Sequence, residues 1–203
     1  MSGRGRPRGF DKEEVLERAM ELFWRKGYEA TSMIDLITTM GIGSPSLYAA
    51  FGSKEELFRQ ALDFYRATEG RKIWGCLTRK GTAFAAVESY LMQSARVFSR
   101  PDKPPGCLVV LSALHPAEHS DTVRQTLIEM RSRSVADLMQ RLQQGIAAGE
   151  ISPEVDLAAI ARYYVTVQQG MSIQARDGAS RRELEMIAQA ALASWPTLVD
   201  ADR

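Results

Sequence analysis

The chain has 203 residues, of which 45% are hydrophobic and 25% charged, and its formal net charge is +1. This overall composition is typical of a globular protein and not of a disordered chain, and the length allows a small domain fused to a larger one. Apolar runs such as residues 107–111 are far too short to span a bilayer, and the basic N-terminus lacks the apolar stretch of a signal peptide. We therefore expect a cytoplasmic protein that makes no membrane contact.

The distribution of charge and cysteine narrows the possibilities further. Residues 1–8 contain three arginines and no acid, whereas residues 11–70 hold seven Lys or Arg against eleven Asp or Glu. Any basic surface is therefore local, and the glycine and proline content of residues 1–8 predicts a disordered basic arm. Cys76 and Cys107 form no close pair and no metal-like spacing, so reduced thiols fit best and neither a metal nor a cofactor is expected.

Four helices are predicted between residues 11 and 65. Each follows a residue that commonly caps a helix N-terminus, and the predicted caps are Asp11, Thr31 with Ser32, Ser44 and Ser53. Glycines stop or turn the chain between these helices. The third helix spans only about two turns, and Pro45 fits its first position. In the second helix, the side chains expected to face inward are Ile34, Leu36, Ile37 and Met40.

Helical periodicity returns after a weak stretch at residues 70–81, where we place the domain junction. The further predicted helices cover residues 84–98, 121–146, 156–175 and 180–195. The apolar run 107–114 has the composition of a strand, but no partner strand is in sight, and we interpret it as a short buried helix. The pattern therefore predicts an all-α fold of about nine helices, with domains at 9–68 and 79–199.

Residues 31–58 contain the pattern of a helix-turn-helix unit, whose second helix enters the major groove of DNA. Such a helix needs small or polar residues on its outer face, because its backbone must approach the bases closely. The predicted base-facing residues are Ser44, Pro45, Ser46 and Ala49. Leu47 and Phe51 are expected to point inward and to hold the helix on its own domain.

Residues 11–58 resemble the DNA-binding domain of the tetracycline-repressor (TetR) family. The matching features are Leu22-Phe23, Gly27-Tyr28, Thr31-Ser32, Gly41, Leu47-Tyr48, Phe51 and Lys54-Glu55. The rest of the chain matches only in the layout of its helices. The resemblance implies a two-domain, all-helical homodimer that represses transcription from a near-palindromic double-stranded DNA operator and is released by a small ligand.

The same resemblance implies roles for individual residues. Tyr48 and Lys54 are expected to hold phosphates, and Thr31 and Ser32 to assist them. One departure from the family pattern is Ala50, where many members have a histidine. The third helix also lacks Arg, Asn and Gln, so we expect sequence reading to use apolar contacts, water, or minor-groove insertion of the arm. The arginines predicted to enter the minor groove are Arg6 and Arg8.

The second domain is predicted to bind the ligand and to form the dimer. The helix at 156–175 has more apolar faces than one subunit can bury, and the helix at 180–195 has small residues that allow close packing. Both are therefore expected to pair with the same helices of a second copy. Phe84 and Tyr163 are expected in the core of this domain. The residues predicted to line the pocket are Trp74, Met92, Cys107, Leu111, Met139, Tyr164 and Gln168, which favour an apolar or aromatic effector.

Three alternatives remain open on sequence alone. Cys107 is a candidate for redox or electrophile sensing, although a buried thiol is usually inert. A helical interaction module that does not bind DNA is a second alternative, and activation instead of repression is a third. No catalytic cluster is recognisable, so an enzyme is not expected. The motif His115 to His119 matches a zinc-protease pattern, but Pro116 interrupts it, and we expect no metal site there.

Overall fold

A computed structural model describes residues 10–113 and 120–200, and these residues form eleven α-helical segments with no strand among them. The predicted all-α fold is confirmed. The two segments beyond the predicted nine are a four-residue and a five-residue helix, both too short to give a periodic signal. In this part of the chain, no helix combines the length and apolar character that crossing a membrane requires.

The N-terminal unit holds the predicted helix-turn-helix. Its helices are α1 Lys12–Lys26, α2 Met33–Met40, α3 Ser44–Phe51 and α4 Lys54–Tyr65. The chain does not turn away where α4 ends. A π-helical turn, Arg66–Gly70, leads directly into α5, Arg71–Trp74, so that the helical path from the N-terminal unit continues into the weak stretch of the sequence pattern.

The C-terminal unit is a bundle of longer helices. They are α6 Ala83–Phe98, α7 Leu108–Ser112, α8 Asp121–Ala147, α9 Leu157–Arg176, α10 Arg181–Leu192 and α11 Trp195–Val199. The short buried helix that the sequence predicts at 107–114 is present as α7. Helix α9 packs against α6, α8 and α10 and so lies at the centre of the bundle.

Side-chain caps explain why the helices begin where they do. Asp11 accepts hydrogen bonds from the amides of Glu13 and Glu14 at the start of α1. Ser32 and Asp35 form a reciprocal capping box at the start of α2. The predicted cap of α3 is wrong, because Gly43 is the N-cap and Ser44 is already helical, and no side chain bonds to the first amides of this helix.

Aromatic rings fix α1 and α4 against each other in the N-terminal unit. The ring centroids of Phe23 and Phe58 lie 4.9 Å apart in an edge-to-face arrangement, and Tyr28 lies 5.0 Å from Phe58. Trp24 makes a similar contact with Tyr65 at 4.9 Å. Such pairs add about 0.5–1.5 kcal/mol each beyond the area they bury, so the two helices are expected to move as one piece.

Polar contacts join the two units. Lys103 Nζ lies 2.6 Å from carboxylate oxygens of both Glu17 and Glu21 on α1. Although burial disfavours charge at Lys103, these two carboxylates raise the pKa of its ammonium group above the ordinary value. Further links are Ser120 Oγ to Glu55 Oε2 at 2.7 Å, Arg176 Nη2 to the Arg25 carbonyl at 2.6 Å, and Arg66 Nη2 to Asp137 Oδ2 at 3.3 Å.

Three side chains that were expected to face inward are instead exposed. Ile34 is 76% exposed on α2, and the rings of Phe84 and Tyr163 are each 37% exposed. Phe84 still makes an edge-to-face contact with Trp195 of α11, at 5.6 Å between centroids. Leu36 and Met40 do carry the buried face of α2, as predicted.

Acid is expected to weaken the N-terminal unit through Asp35. Hydrogen bonds from Ser32 and Lys26 hold the pKa of the Asp35 carboxyl at about 2, below the usual value of 3.8. Because the pKa is lower in the folded state, the stabilisation is complete above the unfolded value and is lost as the pH falls from about 4 through about 2. Urea unfolding of wild type and Asp35→Asn between pH 5 and pH 2 measures this. The free energies of unfolding of the two proteins should converge as the pH falls toward 2. A difference between them that is independent of pH would contradict the assignment.

Candidate DNA-binding face and ligand cavity

Helix α3 is anchored on one side and open on the other. Leu47 and Phe51 are almost completely buried, at 0% and 1% exposure, and they hold the helix against the N-terminal core. The side chains that face outward are Pro45, Ser46, Tyr48 and Ala49, while Ser44 is half-buried. Tyr48 is 53% exposed and is the only large residue on that outer face. The open side therefore has the small, polar profile that groove entry requires, with one tyrosine.

The N-terminus of α3 is free of side-chain caps. Gly43 occupies the N-cap position and can offer no side-chain acceptor, so no side-chain bond is made to the first amides. Uncapped amides at a helix N-terminus carry a partial positive charge and suit a phosphate oxygen. This feature was not predicted, because Ser44 was taken as the cap.

Lys54 is held in place by an aromatic ring. Its Nζ lies 4.4 Å from the centroid of Tyr28, a cation–π distance, and Tyr28 in turn packs on Phe58. Burial lowers the pKa of the Lys54 ammonium group below its ordinary value, although the negative charge of Glu29 partly opposes this by raising it. No pattern in the sequence connects Tyr28 physically with Lys54, although both belong to the stretch that resembles the TetR family.

The outcome for the other predicted DNA contacts is mixed. The Thr31 hydroxyl is not placed for the phosphate contact that was predicted for it. The residue is fully buried, and its Oγ1 donates to the Gly27 carbonyl at 2.6 Å. Ser32 is exposed, but its hydroxyl donates to Asp35 at 2.8 Å and accepts from the Asp35 amide. Arg6 and Arg8 lie outside the described residues, and their role stays a prediction.

A cavity of about 50 Å³ lies where α4, the π turn, α5, α7, α8 and α9 meet. Its apolar lining includes Ile73, Trp74 and Val110, and its polar lining includes Tyr65 and Cys107. The remaining lining residues are Arg66, Gly70, Val109, Met130, Arg131, Ser134, Asp137, Gln168 and Gln169. The space holds only a few water molecules, so a larger ligand has to displace a wall.

The structure brings together three of the seven predicted pocket residues. Trp74, Cys107 and Gln168 line the cavity. Leu111 lies instead beside a second small cavity between α1, α7 and α9. Met92 and Met139 do not line the first cavity and are partly buried in the general core.

Tyr164, which was also predicted to line the pocket, lies elsewhere. It is fully buried, and its ring lies 5.0 Å from Tyr163 and 6.1 Å from Trp195, away from the cavity lining. Burial raises the pKa of its hydroxyl to about 12. Periodicity identified a buried face of α9 but not which part of that face borders empty space.

Sequence reasoning missed the charged lining. Arg131, Ser134 and Asp137 on α8 face the cavity together with Arg66. A signal was present, because the apolar stripe of α8 runs through Leu127 and Leu138 and is interrupted by polar residues between them.

Cys107 is the N-cap residue of α7 and is 9% exposed. Burial raises the pKa of its thiol above the ordinary value, and this outweighs the lowering effect of the Tyr65 hydroxyl and of the Val109 and Val110 amides. A protonated thiol is a poor nucleophile. The electrophile-sensing alternative therefore gains no support from this arrangement.

Among residues 10–113 and 120–200, no group of three or more His, Cys, Asp and Glu side chains is placed to hold a metal ion. His115 and His119 lie outside these ranges. The expectation that this motif is not a metal site therefore stays a prediction.

Comparison with known proteins identifies both halves of the chain. Residues 15–61 match the family model described as "Bacterial regulatory proteins, tetR family", and residues 83–191 match that described as "Tetracyclin repressor-like, C-terminal domain". The chain belongs to the TetR family. The resemblance seen in residues 11–58 is thus confirmed, and the match extends through the C-terminal unit. TetR-family proteins are transcriptional regulators, and this agrees with the outward face of α3.

Relatives of this TetR-family chain align over nearly its full length. The HTH-type transcriptional repressor ComR of Escherichia coli (strain K12) is 39% identical over 97% of this chain and 94% of its own length. The repressor BdcR of the same organism is 31% identical over 89% and 86%. A cysteine mutant of the regulator CifR, solved with a 26-bp operator, is 41% identical with a TM-score of 0.90, covering 94% of this chain and 100% of that one.

Proposed function

We propose that this protein is a dimeric transcriptional repressor, which binds a near-palindromic operator and leaves it when a small molecule occupies the cavity beside Trp74. The observation that carries the proposal is the outer face of α3, which has exposed small residues and Tyr48 opposite two buried anchors. The names of ComR, BdcR and the CifR complex support repression through operator DNA. We place the protein in the cytoplasm because its DNA target lies there.

The proposed DNA contacts divide into two kinds. Tyr48, Lys54 and the uncapped amides of α3 bind phosphates and fix the orientation of the helix. Pro45, Ser46 and Ala49 approach base edges, with Ser44 at their margin. The arginines of the arm, Arg6 and Arg8, add minor-groove contacts.

Helix α4 offers a direct connection between cavity and DNA. Lys54 begins this helix, and Tyr65 and Arg66 at its other end line the cavity. The two ends are about 16 Å apart, at 1.5 Å per residue. A ligand too large for the 50 Å³ cavity has to move this wall or α8, and a rigid α4 carries the displacement to Lys54. The ligand thereby favours a separation of the two DNA-binding units that no longer fits the operator.

The dimer is proposed to form through α9 and α10. Both helices expose large apolar side chains, Tyr163 at 37% and Met186 at 57%. Gly170 lies exposed on α9 with no atom within 4 Å of where a Cβ would be, so a partner helix can approach closely there. We propose residues 9–68 as the DNA-binding domain and 79–199 as the sensing and dimerisation domain.

Selection of genomic fragments by the purified protein tests the proposal. Fragments retained at near-physiological salt are sequenced, and a short, near-palindromic motif is expected. Recovery of no enriched motif, also with refolded protein stripped of ligand, would refute DNA binding and favour an interaction module. A reporter placed behind the recovered site then distinguishes repression from activation.

A further inference from the structure

We propose that the effector is a small organic carboxylate, with one aromatic ring or a short alkyl chain, whose carboxylate is bound by Arg131 and Gln168. This inference rests on the proposed function, because it names the chemical class that the cavity takes. It also differs from the apolar effector that the sequence pattern favoured.

The charge of the lining is the first ground. Among the described lining residues, the charged groups are the guanidiniums of Arg66 and Arg131 and the carboxylate of Asp137. Arg66 Nη2 lies 3.3 Å from Asp137 Oδ2, so these two groups compensate each other. Arg131 is left as an uncompensated positive charge at the cavity.

The state of Arg131 is the second ground. Its Nη1 atom is buried and makes no hydrogen bond within the described part of the chain, and no described acid forms an ion pair with it. Burial lowers the pKa of this guanidinium, with no opposing carboxylate effect. Arg131 as a whole is half-buried, but a buried N–H of a cation that has no acceptor is unfavourable, and an anionic ligand supplies the acceptor.

Gln168 provides an independent ground. It is 3% exposed, lines the same cavity and forms no hydrogen bond with any residue of 10–113 or 120–200. Buried amides nearly always have a partner, and the cavity is the space from which one can reach Gln168. A carboxylate satisfies both groups at once, since it accepts two bonds from a guanidinium and one from an amide.

The apolar lining defines the rest of the ligand. The space beside the polar groups is surrounded by apolar side chains, namely Ile73, Trp74, Val109, Val110 and Met130. A flat ring or a short chain suits this lining, and because the empty space holds only a few water molecules, either one binds by displacing α4 or α8. A cation is disfavoured because Arg131 lies at the wall.

The test uses the full chain and matched pairs of probes, namely benzoate with benzamide, phenylacetate with phenylacetamide, and hexanoate with hexanamide. Binding is measured by calorimetry and thermal shift in low-chloride buffer without DNA. At least one carboxylate is expected to bind about tenfold or more tightly than its amide. Absence of binding by all three carboxylates at millimolar concentration, or equal binding by the amides, overturns the proposal.

Variants locate the binding groups. Arg131→Met and Gln168→Leu are each expected to weaken carboxylate binding about 10- to 100-fold, and Arg131→Lys less, because a lysine keeps the charge but not the bidentate geometry. Arg131 also borders an outer groove that contains Arg162. Arg162→Gln is therefore the matched control and should leave binding unchanged. Loss of binding in Arg162→Gln but not in Gln168→Leu would place the ligand in the groove and overturn the proposal.

Stability and DNA binding separate this inference from the proposed function. Unliganded Arg131→Met should melt no lower than wild type, because it removes a cation whose buried Nη1 has no acceptor. A lower melting temperature would reveal a partner for Arg131 and remove the basis of the inference. Arg131→Met should also retain the operator fragment. If wild type retains no DNA while carboxylates bind, the proposed function fails and the ligand class stands. If DNA binds and carboxylates do not, only the ligand class fails.

Discussion

Replacement of Gly106 by alanine is expected to lower the free energy of unfolding by about 2–5 kcal/mol. Gly106 has a φ of 78°, a conformation that residues with a Cβ rarely adopt. An added Cβ would also lie 2.5 Å from the Ser172 carbonyl oxygen and 3.0 Å from the Leu111 side chain. The first clash is with the backbone of α9, at the centre of the bundle, and cannot be relieved by a side-chain rotation.

Gly149→Ala is the matched control for this substitution. Gly149 has a similar φ of 72°, but no atom lies within 4 Å of its added Cβ. Its replacement therefore costs only the backbone strain, about 1–2 kcal/mol. Urea unfolding of both variants measures the difference, which isolates the contact with Ser172. Equal losses in the two variants would show that the bundle relaxes around the extra methyl group.

The close approach at Gly106 also shapes the cavity. The next amide, that of Cys107, donates to Ser172 Oγ at 2.8 Å, and the Gly106 amide donates to the Phe98 carbonyl at 3.0 Å. These bonds fix the start of α7 against α6 and α9. The start of α7 also lines the cavity, through Cys107, Val109 and Val110. A shift of this part of α7 is therefore expected to change ligand binding as well as stability.

Local signals predicted the helices of the N-terminal unit well. Asp11, Ser32 and Ser53 cap helices as expected, because a cap is decided by the few residues that follow it. Ser44 failed as a cap although its residue type is suitable. Gly43 before it adopts the extended N-cap conformation, and sequence alone does not say which of two adjacent candidates does so.

Periodicity was less reliable where helices are short or their partners were not recognised. Helix α2 has only eight residues, so its apolar pattern does not fix which side Ile34 faces. Phe84 packs against Trp195, which belongs to α11, a helix of five residues that the pattern did not reveal. In both cases the direction of a side chain depends on an element outside its own helix.

The cavity was the least predictable feature, because it is formed by residues distant in sequence. Tyr65, Cys107, Arg131 and Gln168 come from four different helices or caps, and their meeting depends on the packing of the bundle. Composition could indicate a Met- and aromatic-rich core but not where it leaves space. The unpaired state of Arg131 is likewise a property of its neighbours, which no periodic pattern describes.

Tyr48→Ala combined with Lys54→Met is expected to weaken operator binding about 100-fold or more. Each substitution removes a proposed charge-assisted phosphate contact of about 1.5–3 kcal/mol, in both subunits of the dimer. Methionine keeps most of the lysine stem, so the packing of Lys54 on Tyr28 is largely preserved. Fluorescence anisotropy with the selected operator measures the loss, and circular dichroism checks that the fold is retained.

Arg59→Gln provides the matched control on the same helix. Arg59 lies beside Thr122 and Val123 of α8 and forms ion pairs with Glu56 and Asp63. Its replacement by glutamine therefore removes a positive charge from α4 at a position where no DNA contact is proposed. Its affinity should stay close to that of wild type. Equal weakening by Arg59→Gln would show that the effect comes from net charge and not from a contact at Lys54.

Salt dependence and Tyr48→Phe then separate the two proposed contacts. Loss of one phosphate contact reduces the slope of log K against log salt by about 0.9, so Lys54→Met should lower it by about 1.8 in a dimer. Tyr48→Phe keeps the ring and removes only the hydroxyl, which carries no charge. It should therefore weaken binding with the slope unchanged. If Tyr48→Phe binds as wild type does while Tyr48→Ala does not, the ring itself makes the contact, and Tyr48 belongs with the groove-facing residues of α3.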